Sequence, residues 1–265
     1  DAQPAGAGRI QISTIVPDSL PWKGTYFKGN PVSITAIPNP GYTFDHWGTN
    51  NSISAADSTQ TIRINFNASD SVIAYFTGSS IVPHITFSEI NYQSSDSADA
   101  GDWVEFHNPD SVDIDLSGWK FRDNDDLHTF TFPLGTVIEA NSHLVLAEDL
   151  AKFDAIYEPD QEHDHQGHGD EHNSHRTTPR HDSFELNYNS NVIGPLSFAF
   201  SNSGELLRLY EYRDSLHVSM TFSKLPPWPI LPAGQGYTLE SIINNPDLDN
   251  GDNWFAGCIG GSPAT

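Results

Sequence analysis

The sequence is poor in cysteine, in basic residues and in long apolar stretches, and each shortage excludes a class of protein. Its 265 residues include a single cysteine, Cys258, so neither an internal disulfide framework nor a cysteine-based zinc cage can form. Only 12 lysines and arginines accompany 35 acidic residues, which gives a formal net charge of −23. Because phosphate recognition needs clustered cations, nucleic acid and anionic membranes are poor partners for this chain. No apolar run approaches the roughly 20 residues of a membrane span.

Recognisable catalytic motifs are missing as well. The sequence has no Gly-x-Ser-x-Gly elbow, no phosphate-cradling Gly-Lys-Ser/Thr loop, no dinucleotide fingerprint and no His-Glu-x-x-His zinc motif. No basic residue adjoins Cys258, so we expect a buried and unreactive thiol. These observations predict a protein without enzymatic activity.

The negative charge is concentrated in one part of the chain. Residues 1–80 contain five acidic and four basic residues, whereas residues 81–265 contain 30 acidic and eight basic residues. The short segment Thr77-Gly78-Ser79-Ser80 has the small residues of a linker. The composition therefore predicts two domains, 1–80 and 81–265.

Period-two patterns make strands the main element of the first domain. Apolar β-branched residues alternate with polar ones, as expected where one face of a strand is buried. A turn is predicted at Pro38-Asn39-Pro40-Gly41, because proline presets φ and glycine accepts a positive φ. The aromatic residues that follow the turn are expected to pack in the core. The predicted strands are 9–13, 32–36, 62–66 and 72–76.

Glycines and aromatic residues occur in a characteristic order in this domain. The order is Trp22-x-Gly24-x-Tyr26-Phe27-x-Gly29-x-Pro31-Val32, followed by Gly41-Tyr42-x-Phe44-x-x-Trp47. Over about residues 8–77 the sequence resembles the divergent internalin B-type repeat of bacterial surface proteins. The resemblance implies a small β-grasp-like module that serves as a spacer or adhesive unit.

The second domain also has the pattern of a β protein, with one helix. Leu150, Phe153 and Tyr157 have helical spacing, and Asp149 is a suitable N-cap. Many short strands separated by turns favour a sandwich or a barrel. The predicted strands are 85–87, 103–106, 130–132, 143–146, 206–210 and 218–222.

Nine sequence blocks in the second domain occur in a recognisable order. They are residues 88–92, 102–109, 115–119, 132–136, 144–146, 200–205, 227–229 and 236–240, and the end of the chain from Trp254 to Pro263. Over about residues 82–265 the sequence is similar to the bacterial lamin-tail domain. The resemblance implies an immunoglobulin-like β-sandwich. The pairing of the two modules looks like the C-terminal region of large secreted proteins that carry a CotH-type kinase upstream.

Carboxylates within these blocks have two interpretations. Glu89, Glu105, Asp115 and Asp123 suit a structural role, in which their oxygens accept hydrogen bonds from loop amides. Calcium is the alternative, because it takes six to eight oxygen ligands. Neither candidate loop matches a complete calcium-binding pattern. The candidate calcium ligands are Asp123 and Asp125 in one loop, and Asp247, Asp249 and Asp252 in another.

A histidine-rich stretch interrupts the second domain at about residues 158–182. It lacks apolar periodicity, so we expect an inserted loop after the helix. Its imidazole and carboxylate groups suit zinc or another transition metal, and a solvated loop without a biological metal is the alternative. The candidate ligands are His163, His165, His168, His172, His175 and His181, with Asp164, Asp170 and Glu171.

Taken together, the patterns predict a non-catalytic extracellular region of a larger bacterial protein that is secreted or attached to the cell surface. Its role would be as a spacer or in binding a protein or a glycan. The first alternative is a carbohydrate-binding accessory module that uses Trp22, Trp47 or Trp228. A second, weaker alternative is a hydrolase that uses carboxylates or a loop-bound metal.

Overall fold

The computed structural model describes residues 1–49, 57–157, 191–242 and 247–263. Within these residues the chain forms eighteen strands and one α-helix, so the mainly β fold class is the one predicted from the sequence. The chain divides into two compact units. The first consists of Asp1–Ser88, Phe106–His143 and Glu205–Phe222, and the second of Glu89–Glu105, Leu144–Gly204 and Ser223–Thr265.

Six strands in residues 1–80 form two three-stranded sheets. One sheet has the order β1-β6-β4 and the other has the order β2-β3-β5. In the second sheet all pairs are antiparallel, with Ile10 opposite Ala36 and Ile34 opposite Ile62. The strands are β1 (Ala2–Gln3), β2 (Gly8–Ile12), β3 (Pro31–Pro38), β4 (Tyr42–Thr49), β5 (Thr61–Asn65) and β6 (Val72–Gly78).

Alternation of burial explains why these residues form strands. In β5 the side chains of Ile62 and Ile64 are buried, while those of the three residues around them are exposed. Buried isoleucines and alanines from both sheets, with Trp47 and Phe76, make one core. Phe44 packs against both aromatic rings, at centroid distances of 5.3 and 5.8 Å. The predicted core role of the aromatics after the Pro38–Gly41 turn is therefore confirmed.

The remaining strands form three sheets. A four-stranded sheet has the order β11-β10-β15-β16, β12 pairs with β9, and a six-stranded sheet has the order β14-β13-β8-β7-β17-β18. The strands are β7 (Thr86–Asn91), β8 (Trp103–His107), β9 (Ile114–Asp115), β10 (Lys120–Arg122), β11 (Thr129–Thr131), β12 (Val137–Ile138), β13 (His143–Ala147), β14 (Val192–Ile193), β15 (Leu206–Tyr210), β16 (Leu216–Thr221), β17 (Tyr237–Ser241) and β18 (Trp254–Ile259).

Four phenylalanines from the part of the chain beyond residue 80 pack together in the core of the first unit. Phe106 lies at the centre of the group, with ring centroids 5.4 Å from Phe87, 5.7 Å from Phe121 and 5.7 Å from Phe132. All four side chains are buried. The contacts of Phe106 with Phe121 and Phe132 are edge-to-face, and each adds about 1 kcal/mol to the free energy gained by burying the rings.

The single described helix, α1 (Leu150–Tyr157), begins where the sequence predicts it. The carboxylate of Asp149 accepts hydrogen bonds from the amides of Ala151 at 3.0 Å and Lys152 at 3.1 Å. This arrangement is an N-cap, because it satisfies amides that have no partner inside the helix. Phe153 is buried against Trp103 at a ring-centroid distance of 6.0 Å. The predicted helix and its cap are therefore confirmed.

Candidate functional site

An exposed segment of the first unit carries the largest group of surface aromatics near the N-terminus. We call residues Pro21–Asn30 the aromatic–lysine segment. All ten residues are exposed, and they include Trp22, Tyr26 and Phe27 as well as Lys23 and Lys28. The Phe27 side chain is 82% exposed. The segment contains no acidic residue, so its formal charge is positive in a strongly negative chain.

Contacts within the first unit involve two of the three aromatic rings of this segment, those of Trp22 and Tyr26. The Trp22 ring covers Gly24 so closely that a Cβ there would lie 2.2 Å from Trp22 Cη2. The Tyr26 ring stacks on Phe66 at a centroid distance of 6.2 Å, and the partial burial raises the pKa of Tyr26. The Gly29 amide donates to the Phe66 carbonyl oxygen at 3.2 Å. The Trp-x-Gly-x-Tyr spacing therefore has a physical basis, because any larger residue at position 24 would require the indole of Trp22 to move.

The two other tryptophans considered as ligand-binding residues are buried. Trp47 lies in the core of the first unit, and its Nε1 donates to the Thr59 carbonyl oxygen at 3.0 Å. Trp228 is 8% exposed and packs on Trp254 at a ring-centroid distance of 6.1 Å. Neither tryptophan has a ring face open to a ligand, so the prediction that Trp47 or Trp228 binds carbohydrate is wrong. Trp22, at 36% exposure, remains as the surface member of the set.

In the first candidate calcium-binding loop, which contains Asp123 and Asp125, the carboxylates accept hydrogen bonds from groups of the loop itself. One Asp123 carboxylate oxygen accepts from the Asp125 amide at 2.7 Å, and the other contacts His128 Nδ1 at 2.7 Å. Asp125 in turn accepts from the Leu127 amide at 2.9 Å. The Asp123 carbonyl oxygen accepts from Arg208 Nε at 3.0 Å. These oxygens make the structural hydrogen bonds predicted for Asp123, and they stabilise the turn.

The second calcium candidate surrounds a one-turn 3₁₀ helix, Gly251–Asn253. The Asn250 side chain caps this turn by accepting from the Asp252 amide at 3.1 Å. The Asp247 carbonyl oxygen accepts from Asn253 Nδ2 at 2.8 Å. Trp254 Nε1 donates to the Leu248 carbonyl oxygen at 3.0 Å. The backbone of this loop, which includes Asp249, is therefore ordered by hydrogen bonds from side chains within it.

Among residues 1–49, 57–157, 191–242 and 247–263, no three histidine, cysteine or acidic side chains are placed to hold one ion. The predicted transition-metal ligands all lie outside these ranges. They are His163, His165, His168, His172, His175, His181, Asp164, Asp170 and Glu171.

A buried carboxylate lies in the second unit, where Glu89 accepts from the Ser262 amide at 3.1 Å. Burial raises the pKa of Glu89 to about 7, and the nearby charges of Glu240 and Glu105 act in the same direction. Hydrogen bonds from Thr238 and Ser262 oppose the shift only in part. Because β7 is an interior strand of its sheet and the Glu89 carboxylate accepts from the amide and hydroxyl of Ser262, the predicted structural role for Glu89 is supported.

The surroundings of Glu89 also fix the end of the helix. Trp103 Nε1 donates to the Tyr157 hydroxyl at 3.2 Å, and that hydroxyl donates to the Gly260 carbonyl oxygen. Burial raises the pKa of Tyr157 to about 12, so the hydroxyl keeps its proton. Gly261 has a φ of +80°, and a Cβ there would lie 2.4 Å from Glu89 Oε1. Glycine is therefore required beside the carboxylate.

Within the first unit, a buried arginine links residues 1–80 to residues from the part of the chain beyond residue 80. Arg9 in β2 donates from Nη2 to the Ser117 carbonyl oxygen at 2.9 Å. Its guanidinium lies 3.8 Å from the centroid of the Tyr212 ring. Burial lowers the pKa of Arg9, while Tyr212 and Asp115 act to raise it. Two groups thus hold the Arg9 guanidinium: the Ser117 carbonyl oxygen through a hydrogen bond, and the Tyr212 ring through a cation–π contact.

The structure corrects the expectation of a buried thiol. Cys258 is exposed, because it lies near the end of β18, and β18 is the outer strand of the six-stranded sheet. Its amide donates to Glu240 Oε1 at 3.3 Å. The backbone at this position is therefore fixed while the sulfur is open to solvent.

Sequence reasoning missed the roles of Arg9, Phe27 and the two lysines of the aromatic–lysine segment. The sequence does show that the lysines are clustered, because two of the four basic residues in residues 1–80 lie in these ten positions. Arg9 gave no such signal. It occupies a polar position of an alternating strand, and the partners that bury it lie more than 100 residues away.

Comparison with known families matches most of the chain. Residues 79–246 match the family model described as Lamin Tail Domain, and residues 14–80 match the model described as Divergent InlB B-repeat domain. No curated protein and no solved structure gives a significant match. None of the helices in the described residues has the length and apolar character needed to cross a membrane.

Proposed function

Because the chain belongs to the lamin tail domain family, we propose that it is a non-catalytic extracellular region that binds or spaces other parts of a larger protein. The preceding InlB-type repeat domain supports an extracellular setting, since such repeats occur in surface proteins. Both modules are of kinds that typically lack catalytic activity. The proposal extends to a protein that is secreted or held at the cell surface.

The burial of Arg9 is the observation that carries this proposal. A spacer transmits position only if its modules are attached firmly, and a flexible linker would not provide such an attachment. Arg9, five residues before the start of the repeat-domain match, lies in a strand of the same sheet as β3 and β5, and it is buried against Ser117 and Tyr212 of the lamin tail domain. An arginine at a desolvated aromatic face contributes more than one at an exposed site. The contact therefore favours a fixed arrangement of residue 9 and its two partners.

Replacing Arg9 with alanine should lower the free energy of unfolding by about 2 kcal/mol, because a buried charged hydrogen bond and a cation–π contact are lost. Chemical denaturation followed by tryptophan fluorescence measures the change. Arg63→Ala is the matched control, because Arg63 is an exposed arginine in the same three-stranded sheet. Equal stability of the two variants would show that the Arg9 contact contributes nothing.

Cys258 provides a direct test of the extracellular location. The single thiol of this chain is exposed, so a membrane-impermeant maleimide should label the full-length protein on intact cells or in the medium. The Cys258→Ser variant identifies the labelled residue by losing that label. Labelling of Cys258 only after the cells are permeabilised would contradict the proposal.

Carbohydrate binding is a second candidate function, and the exposure of Trp22 favours it. Of the three tryptophans considered, Trp22 alone has a ring at the surface, next to Tyr26 and the highly exposed Phe27. Sugar rings present polarised C–H groups that pack on the negative face of an aromatic ring. The aromatic–lysine segment is therefore the part of the described surface that we assign to this function.

We also propose that the histidine-rich stretch binds zinc or a related transition metal. Six histidines occur within nineteen positions, and clustered imidazoles suit such ions. Calorimetric titration should detect Zn²⁺ binding near pH 7 and its loss near pH 5, because imidazole with a pKa of about 6.5 must be neutral to bind. Replacing His163, His165 and His168 together should weaken binding more than any single replacement. Absence of binding at pH 7 would refute this proposal.

A further inference from the structure

We propose that the aromatic–lysine segment, Pro21–Asn30, binds an anionic polysaccharide, an inference that rests on the proposed extracellular binding function. Three aromatic residues lie within six positions of a segment that is exposed along its whole length. Phe27 in particular leaves most of its ring in water, at 82% exposure. Exposed aromatic groups with a polar surround are typical of binding surfaces. The sugar rings of the ligand would pack on Trp22 and Phe27.

The segment is organised before any ligand arrives. Trp22 lies over Gly24, and Tyr26 stacks on Phe66 with an interplanar angle of 26°. A turn closes the segment, because the Asn30 amide donates to the Phe27 carbonyl oxygen at 3.2 Å. The Trp22 and Tyr26 rings and the backbone at Phe27 are therefore in place before binding, which reduces the conformational entropy that binding costs. These contacts distinguish the segment from an apolar loop without fixed structure.

Charge determines which polysaccharide fits. Lys23 and Lys28 are exposed and directly follow Trp22 and Phe27 in the sequence, and the segment contains no acidic residue. A lysine ammonium is a compact positive charge that pairs with carboxylate, sulfate or phosphate groups. Residues 1–80, which include the repeat domain, have a formal net charge of −1, and the strongly negative part of the chain lies beyond them. Charges farther than about 8 Å from the ligand are largely screened at physiological ionic strength.

Binding to the full chain should be measured by isothermal titration calorimetry with polygalacturonate and with heparin. Methyl-esterified polygalacturonate of equal length is the matched ligand, because it keeps the sugar rings and removes the charge. We expect the acidic polymers to bind more tightly than the ester, with an affinity that falls as salt is added. Anionic phospholipid vesicles and oligothymidylate serve as probes for other classes of partner.

Two sets of variants separate stacking from charge. Trp22→Ala or Phe27→Ala should weaken binding to both forms of polygalacturonate about tenfold, because a stacking contact is lost. Lys23→Gln combined with Lys28→Gln should weaken binding to the acidic form alone, also about tenfold. Lys224→Gln, at an exposed lysine outside the segment, is the control. Near-ultraviolet circular dichroism checks that each variant is folded.

Three results would overturn the assignment. They are an absence of binding to both acidic polymers, affinities that do not change in the variants, and binding to vesicles or oligothymidylate without binding to polysaccharide. None of these results bears on the Cys258 labelling experiment. Labelling of intact cells together with failed polysaccharide binding would leave the extracellular function standing and would remove only this ligand.

Discussion

Replacing Asn108 with alanine is expected to destabilise the protein by about 4 kcal/mol, because it removes a buried set of hydrogen bonds. Asn108 is fully buried, and its Nδ2 donates to the carbonyl oxygens of Val112 at 2.9 Å, Ile138 at 3.1 Å and Glu139 at 3.0 Å. Its Oδ1 accepts from the Asp110 amide at 3.0 Å. One side chain thus joins β12 to the loop after β8. Chemical denaturation would measure the loss.

Two further variants identify the cause of the Asn108 effect. Asn108→Asp keeps the shape of the side chain but places an acceptor oxygen against carbonyl groups, so it should destabilise at least as much as alanine. Asn124→Ala, at an exposed asparagine of the same unit, should change stability by less than about 0.5 kcal/mol. Near-normal stability of Asn108→Asp would show that side-chain volume, and not hydrogen bonding, is what matters at this position.

Replacing Glu89 with glutamine is expected to raise stability at pH 8 by about 3 kcal/mol and to have little effect at pH 4. Burial raises the pKa of Glu89 to about 7 in the folded chain, from an ordinary value of 4.5. Between these two values the folded state binds the proton that the unfolded state releases. The wild-type protein should therefore lose stability as the pH rises from about 4.5 to 7, and this contribution should stay constant above that range.

Glutamine suits this test because its side-chain oxygen can still accept from the Ser262 amide while it carries no charge. Denaturant midpoints measured from pH 4 to pH 8 for both proteins give the difference directly. Glu139→Gln, at an exposed glutamate, is the control for removing a negative charge. If wild type and Glu89→Gln show the same pH dependence, folding does not raise the pKa of Glu89 and the burial of its carboxyl group has no energetic consequence.

Local patterns in the sequence were sufficient to predict much of the fold. Alternation of apolar and polar residues placed strands at 206–210 and 143–146, which the structure has as Leu206–Tyr210 and His143–Ala147. The cap at Asp149 likewise depends on adjacent residues alone. The strand Tyr42–Thr49 was recognised only as an aromatic cluster. Glycine and tryptophan side by side at its end weaken the alternation, so tertiary pairing with β6 decides its conformation.

The candidate sites were harder to predict because they depend on distant contacts. Trp22 and Trp47 have the same side chain, yet one is at the surface and the other is fully buried. Arg9 meets its partners across more than 100 residues. The exposure of Cys258 follows from the position of β18 at the edge of a sheet, which the order of the strands in the chain does not reveal. Composition could indicate which residue types matter, but not which of them face solvent.

Amide ¹⁵N relaxation tests the central claim most directly, namely that residues 1–80, which include the repeat domain, are fixed to the lamin tail domain as part of a spacer. The measurement compares the rotational correlation time of residues 1–80 with that of residues 106–143 and 205–222, which belong to the same compact unit. Because Arg9 is buried against Ser117 and Tyr212, the account predicts one common correlation time. A distinctly shorter correlation time for residues 1–80 would show that the repeat domain moves independently, and would contradict the account.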